Sequence, residues 1–224
     1  MKEQLLDGRG SKPPFANNTV IPSNSFITGA ELAQYFQITA GTVINSDTNW
    51  YSVEIDNKYL IVPLLPIRYG INWAQLYQKG LVYGTNDNGK YPSGTACNQL
   101  RTIKINGRIY KVRLLKGSNA DPTPALRGYS LSGTSNSEFN RIFMPISAES
   151  TPLYTGPKLA SYTKTELGFT SSVGSWTICI ESETPSYTLS SGRGYDSCNR
   201  VDGVTKTLTS SANIGWRPCL ELIP

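Results

Sequence analysis

The chain contains the stretch Gly215-Trp-Arg-Pro-Cys-Leu-Glu-Leu222, which decides how the rest is arranged. It combines a bulky aromatic residue, a cation, a proline and two alternating leucines, a pattern typical of a strand that closes a sheet. We expect Trp216 to fill the core and Arg217 to pair with an acidic or carbonyl group. Pro218 should lie at an edge or bulge, because proline cannot donate to a ladder. The predicted partner strand is 109–116.

That partner strand follows the strongest short-range signal in the sequence, Asn106-Gly107 between two alternating runs. This dipeptide is typical of a type I′ turn, so residues 101–116 are predicted to form a β-hairpin. Pairing across the turn separates the side chains onto two faces. The apolar face carries Ile103, Ile105, Tyr110, Val112 and Leu114. The other face carries Lys104, Lys111 and Arg113.

Three segments have the spacing of a helix capping box, in which a polar N-cap residue is followed three positions later by Glu or Gln. They start at Thr28, Asn72 and Ser135, and apolar residues at helical spacing follow each of them. Gly41 and Gly80 are predicted to end the first two helices. Residues 50–63 alternate in polarity, which predicts strand structure with a turn at Asp56-Asn57.

Composition indicates one strand-rich domain with many loops, since the 224 residues include 20 Gly, 14 Pro and 13 Tyr. The net charge is +5, but the cations are scattered, so no nucleic-acid partner is expected. An anionic surface such as lipopolysaccharide or teichoic acid would still attract the protein. The sequence shows neither a membrane span nor a secretory signal, which predicts synthesis in the cytoplasm without membrane insertion.

The four cysteines and the absence of histidine limit the chemistry that the chain can support. Cys97, Cys179, Cys198 and Cys219 are widely spaced and form no Cys-x-x-Cys motif, so no metal or other cofactor is expected. Buried reduced thiols and a Cys179–Cys198 disulfide both fit this spacing. Residues 85–90 resemble a calcium loop only in part, because the regular acidic spacing and the closing glutamate are missing.

Three regions can be distinguished along the chain. Residues 1–27 have few apolar side chains, which predicts an extended N-terminal arm that lies on its own domain or on a neighbouring subunit. Residues 28–49 are predicted to form a short helix and a connector. Residues 50–224 form the main domain, within which the segment 148–211 is dominated by Ser, Thr, Gly and Tyr. A loop region of this length is usually functional.

The order of these features resembles a group of tailed-bacteriophage virion proteins. Their domain is similar to the C-type lectin and formylglycine-generating-enzyme fold. The resemblance covers residues 50–224 and rests on a strand at Tyr59, a short helix at Trp73, the hairpin ending at Gly117, a helix at 137–141, the loop-rich region and the closing Gly215-Trp216-Arg217.

The resemblance implies an α+β domain with a small twisted antiparallel sheet, two short helices and long loops, preceded by the arm and a short helix. Calcium-dependent sugar-binding lectins carry Glu-Pro-Asn or Gln-Pro-Asp followed by Trp-Asn-Asp, and this chain has none of these. It also lacks the reactive cysteine pair of the formylglycine-generating enzymes. Calcium-mediated sugar binding and oxidase activity are therefore not expected.

The resemblance further implies a non-enzymatic structural protein of the virion, displayed on the particle surface. Head decoration or a head fibre is preferred over a tail fibre or tail tip. The arm would anchor the protein to capsid or tail subunits, and the protein would form a homo-oligomer.

An alternative function is a host receptor-binding adhesin that recognises a cell-surface glycan or protein through the 148–211 loops. Tyrosines among serines and glycines are typical of adaptable binding loops, although ordinary packing explains such tyrosines equally well. The candidate receptor-binding residues are Tyr154, Tyr162, Tyr187 and Tyr195.

A glycan-cleaving tail enzyme is a third hypothesis and would need two carboxylates across a cleft. The candidates are Glu181 and Glu183 together with Asp196 or Asp202, while the lack of histidine excludes a Ser-His-Asp mechanism.

The remaining prominent residues are predicted to be structural. Trp73, Trp176 and Trp216 should lie in the core. Arg113 and Arg217 should be buried or half-buried ion-pair donors, with Glu138 or Glu221 as partners.

Overall fold

The structure is a computed structural model that describes residues 13–92, 94–119, 133–151, 154–171, 176–182, 189–205, 207 and 214–224. For residues 176–182, 189, 204 and 205 the description extends to the backbone alone.

The described residues form four short α-helices and twelve strands. The helices are α1 (Gly29–Tyr35), α2 (Trp73–Gln78), α3 (Glu138–Phe143) and α4 (Lys164–Leu167). The strands are β1 (Thr19–Ile21), β2 (Thr42–Val43), β3 (Trp50–Ile55), β4 (Lys58–Pro63), β5 (Arg68–Tyr69), β6 (Thr102–Ile105), β7 (Arg108–Arg113), β8 (Trp176–Ser182), β9 (Leu189–Arg193), β10 (Val201–Thr205), β11 (Ile214–Trp216) and β12 (Cys219–Leu222). The predicted α+β class is confirmed.

The strands form two six-stranded sheets where the sequence predicted one small sheet. The first has the order β1-β3-β4-β12-β7-β6 and the second the order β10-β9-β8-β11-β5-β2. Strand β11 runs parallel to β8. Every other strand pair within the described residues is antiparallel.

The closing stretch contributes to both sheets. Its first part, β11, lies between β5 and β8, and its second part, β12, lies between β4 and β7. Pro218 lies in the two-residue step between them, where no ladder donor is needed. The predicted pairing with 109–116 is confirmed, with Leu220 opposite Val112 and Leu222 opposite Tyr110.

Both predicted turns close hairpins. Asn106 and Gly107 have φ angles of 50° and 82°, as a type I′ turn requires, and Ile103 pairs with Tyr110 across it. Asp56 and Asn57 have the same left-handed conformation and join β3 to β4.

The capping boxes of Thr28 and Asn72 are confirmed at the starts of α1 and α2. The helix ends differ from the prediction for α1. This helix ends at Tyr35, well before Gly41, and Gln37 takes the left-handed conformation at its end. The sequence analysis missed α4, although Thr163 and Glu166 form a capping box and Gly168 ends the helix with a φ of 67°.

The predicted N-cap of α3 is wrong by two residues. Ser137, rather than Ser135, caps the helix by accepting a hydrogen bond from the Asn140 amide. Glu138 therefore has no role in a capping box. Its carboxylate instead accepts from the Arg113 guanidinium and from the Lys116 amide, so a tertiary contact has displaced the local one.

Hydrophobic clusters cover both faces of the first sheet. The cluster on one face joins the sheet to α1 and α2, while the cluster on the other joins it to α3 and α4. Side chains alternate between the two clusters along a strand, so Trp50 enters the first and Tyr51 the second. This double burial explains why β4 is apolar on both faces, with Tyr59 and Ile61 in the first cluster and Leu60 and Val62 in the second.

The described part of the predicted arm, residues 13–27, belongs to the fold. Strand β1 extends the first sheet by pairing with β3. Phe26 is buried and makes edge-to-face contacts with Trp50 and Tyr110, each with ring centroids 5.5 Å apart. Residues 1–12 lie outside the described residues.

Candidate functional site: a tyrosine-lined surface

Two of the four candidate receptor-binding tyrosines pack against the second cluster. Tyr154 and Tyr162 are half-buried there, and the phenols of both influence the pKa of Tyr51 on β3. Burial, reinforced by the neighbouring phenols of Tyr162 and Tyr154, raises the pKa of Tyr51 to about 12. The Tyr51 hydroxyl donates to Asn18 Oδ1 at 3.2 Å. We call Tyr51, Tyr154 and Tyr162 the tyrosine surface.

Tyr154 is held by its own loop. Its hydroxyl donates to the Pro157 carbonyl oxygen at 2.8 Å, and the Lys158 ammonium lies 5.8 Å from the centre of its ring. A Cβ atom on Gly156 would lie 2.6 Å from the Tyr154 hydroxyl oxygen. Because Gly156 has no side chain, the Tyr154 hydroxyl can occupy this space.

Tyr162, the second tyrosine, is held in place by two hydrogen bonds of its own backbone. Its amide donates to the Ile146 carbonyl oxygen and its carbonyl accepts from the Ala148 amide, each at 2.8 Å. These bonds form a short parallel bridge in which Ser147 lies opposite Tyr162. The loop is therefore attached to the segment that directly follows α3.

Lys158 fastens the same loop at a second point. Its ammonium donates to the carbonyl oxygens of Met144, Ser147 and Glu149 at 2.8, 2.9 and 2.9 Å. One ammonium group thus satisfies three converging carbonyl oxygens. In other proteins a bound metal ion such as Ca²⁺ is often coordinated by carbonyl oxygens in this way. Neither the tyrosine spacing nor the composition had indicated Lys158 as a site residue.

Glu149 connects this region to the 194–200 segment. Its carboxylate accepts from the Cys198 amide at 2.7 Å and lies 3.5 Å from the Lys164 ammonium. Lys164 in turn donates to the Asp196 carbonyl oxygen. The loops around the tyrosine surface are therefore joined by charge-assisted hydrogen bonds.

The other two candidate tyrosines lie elsewhere. Tyr195 is half-buried, and the Arg200 guanidinium lies 4.8 Å from the centre of its ring. Tyr187 lies outside the described residues. Of the four tyrosines predicted to form one binding loop, Tyr154 and Tyr162 are therefore the two that the structure places on the same cluster. Strand β3 supplies the third member of the surface, Tyr51, which the sequence analysis had not selected.

The described thiols are free, and the two buried ones are poorly reactive. Cys97, Cys198 and Cys219 form no disulfide, so the proposed Cys179–Cys198 bridge is not present. Burial raises the pKa of Cys198 to about 12, helped by the neighbouring Glu149. Burial likewise raises the pKa of Cys219 to about 12. Thiols with such pKa values are inert nucleophiles.

Of the carboxylates suggested for glycan cleavage, the structure describes Asp196 and Asp202 alone. Asp196 is exposed, and Asp202 is engaged by Arg200 at 2.7 Å. The side chain of Glu181 and the whole of Glu183 lie outside the described residues. The described residues also contain no cluster of three or more Cys, Asp and Glu side chains that could hold a metal ion.

The predicted structural residues lie in the interior wherever they are described. Trp73 and Trp216 are fully buried, whereas the side chain of Trp176 is outside the description. Arg113 pairs with both Glu138 and Glu221. Arg217 has a different partner set, because it donates to the Leu167 carbonyl oxygen and stacks over the rings of Phe143 and Phe169.

Tyr154 and Tyr162 are the half-buried rings on which a ligand could stack, because Tyr51 is buried and its hydroxyl is already hydrogen-bonded to Asn18. Among the described residues, no helix has both the length and the apolar character needed to cross a membrane.

Comparison with protein-family models, curated proteins and solved structures found no match to this chain.

Proposed function

We propose that this chain is a non-enzymatic structural protein of a tailed-bacteriophage virion with a C-type-lectin-like domain. It is displayed on the particle surface, as head decoration or a head fibre in preference to a tail component. The observation that carries the proposal is the placement of Gly215–Leu222 at the centre of both sheets. A final strand that carries a Gly-aromatic-Arg motif is what the resemblance implies for that fold.

The anchoring part of the proposed arm is confined to residues 1–12. Residues 13–27 pack into the domain, so they cannot be released without loss of β1 and Phe26. The partners in this proposal are capsid or tail subunits and further copies of the chain.

The test compares the full-length protein with a variant that starts at Pro13. Both are added to phage particles that lack the protein, and binding is measured by sedimentation with the particles. We expect the full-length protein alone to bind, and gold-labelled antibodies to mark the head. The proposal fails if mass spectrometry does not find the protein in purified particles of a phage that encodes it.

A second candidate function is a host-binding adhesin, and the two half-buried tyrosines that pack against the second cluster, Tyr154 and Tyr162, favour it. Host cells and a glycan array are suitable probes for the purified protein. Tyr154→Ala and Tyr162→Ala should abolish binding to either probe, whereas Tyr35→Ala, which changes an exposed tyrosine on α1, should not. Equal binding by all three variants would remove the tyrosine surface from consideration.

A further inference from the structure

A groove runs along the outer face of α2. The helix buries Trp73, Leu76 and Tyr77 in the first cluster. Ala74 and Gln78 lie on its other face, where the small alanine side chain leaves a depression. The groove belongs neither to the tyrosine surface nor to the closing stretch.

Two adjoining cavities of about 600 and 550 Å³ make up this groove and meet at Gln78 and Lys79. The first is mainly apolar, and threonine residues contribute to its lining. Its walls include Ile38, Ala40, Ile71, Ala74, Thr39 and Thr95. The second cavity is more polar and includes Tyr35, Phe36, Lys79 and Arg101 in its lining.

The charged side chains that line the groove, among the described residues, are Lys79 and Arg101. Arg101 passes close to the Gly80 backbone, since a Cβ atom on Gly80 would lie 2.8 Å from the Arg101 Cζ, and its Nη1 donates to the Leu100 carbonyl oxygen at 3.0 Å. Gly80 has a φ of 74°, and a Cβ atom there would also lie 2.6 Å from the Asn98 carbonyl oxygen, so both its conformation and this backbone contact require glycine. The groove therefore has an apolar half and a cationic half.

We propose that this groove binds an extended peptide segment of another virion protein, with apolar side chains followed by acidic ones. The apolar side chains enter the cavity beside Ala74, and the carboxylates pair with Lys79 and Arg101. The hydroxyls of Thr39 and Thr95 suit the amides of a peptide backbone. The six residues of α2 span about 9 Å, so the stretch of extended peptide that faces this helix is about three residues long.

A peptide fits this arrangement better than a nucleic acid, whose regularly spaced phosphates would need cations along the whole groove. Among the described residues, the lining of the apolar half also includes no aromatic side chain on which a base or sugar could stack. The identity of the partner as a virion protein rests on the proposed function, while the peptide chemistry rests on the groove.

The experiment selects binders of the purified full-length protein from a randomised hexapeptide library displayed on yeast. We expect enrichment of peptides with adjacent apolar residues followed by Asp or Glu. Two variants alter the groove: Ala74→Trp fills the apolar cavity and Arg101→Gln removes a cation. Each should weaken the selected peptides by about tenfold or more. Lys58→Gln, in the exposed β3–β4 hairpin, is the matched control and should bind normally.

The proposal is overturned if no such pattern is enriched, or if Ala74→Trp and Arg101→Gln bind the selected peptides as tightly as the unaltered protein does. Displacement of the peptides by a fluorescent fatty acid at a lower concentration would assign the groove to a lipid and would also overturn it. Unchanged melting temperatures of both variants show that they are folded. Absence of the protein from phage particles would defeat the virion function while leaving peptide binding measurable.

Discussion

The guanidinium of Arg113 faces the carboxylate of Glu138 in a buried bidentate pair, with both nitrogen–oxygen distances at 2.7 Å. A second carboxylate, from Glu221, accepts from Arg113 Nε at 2.8 Å. The cluster joins α3 to two central strands of the first sheet, β7 and β12. Removal of one charged side chain leaves the remaining charges buried without a full set of partners, and this lowers the free energy of unfolding.

We therefore expect Glu138→Gln to lower the free energy of unfolding by about 3 kcal/mol, measured by urea denaturation. Asp56→Asn is the matched control, because it makes the same chemical change in the exposed Arg141–Asp56 pair. That control should cost less than about 1 kcal/mol. Equal effects of the two substitutions would show that burial of the Arg113 cluster contributes little.

The same cluster should make the free energy of unfolding depend on pH in the acidic range. Burial on its own would raise the pKa of Glu138, but Arg113 reverses this effect and holds the pKa below its ordinary value of 4.5. The folded state then binds fewer protons than the unfolded state near this pH. The stabilisation is present above about pH 4.5 and is lost as the pH falls through the lower pKa of the folded state. Urea denaturation between pH 3 and 6 should show a smaller decrease for Glu138→Gln, and parallel curves would contradict this.

Trp216 is fully buried at the junction of the two sheets, so its truncation should leave a large cavity. We expect Trp216→Ala to lower the free energy of unfolding by about 3 to 5 kcal/mol. Tyr35→Ala, at a side chain that is 58% exposed, should change it by less than about 1 kcal/mol. Thermal denaturation of both variants provides the check, and an unchanged melting temperature for Trp216→Ala would refute the assignment.

Two truncations should separate the packed part of the N-terminal segment from the rest. A variant starting at Thr28 loses β1, Phe26 and the bond from the Tyr59 hydroxyl to the Phe15 carbonyl oxygen. It should be destabilised by more than about 3 kcal/mol. A variant starting at Pro13 keeps all of these contacts and should unfold at a higher urea concentration than the variant starting at Thr28. Similar midpoints for the two truncations would contradict the packing of residues 13–27.

Lys158→Met should loosen the loop that carries Tyr154, because three carbonyl oxygens lose their common donor. We expect a loss of about 1 to 3 kcal/mol in the free energy of unfolding and faster hydrogen exchange in residues 144–162. Lys58→Met, in the exposed β3–β4 hairpin, is the control. Exchange rates that match those of the unaltered protein would show that Lys158 does not hold the loop.

Local signals predicted local structure well. The turns at Asn106-Gly107 and Asp56-Asn57 and the caps at Thr28 and Asn72 depend on residues a few positions apart, and all four formed. Ser135 failed as an N-cap because Arg113, distant in sequence, engages Glu138. Competition between a local and a tertiary partner cannot be judged from spacing alone.

The second sheet and the tyrosine surface could not be predicted for a related reason. Strands β5 and β11 have two and three residues, too few for a periodic signal. Tyr51 lies in an ordinary alternating strand, and it meets Tyr154 and Tyr162 only once α3 and its following loop have packed on the sheet. The tyrosine-rich composition predicted two members of this surface, and the topology supplied the third.

The two-residue step at Arg217 and Pro218 has a consequence for folding kinetics. Strand β12 pairs with β7 and β4, more than a hundred residues away in the chain, while β11 pairs with β5 at a similar separation. Long loops must therefore close before either sheet is complete, and high contact order slows that search. Because one short segment completes both sheets, they should form in a single slow step, and neither should persist as a stable intermediate.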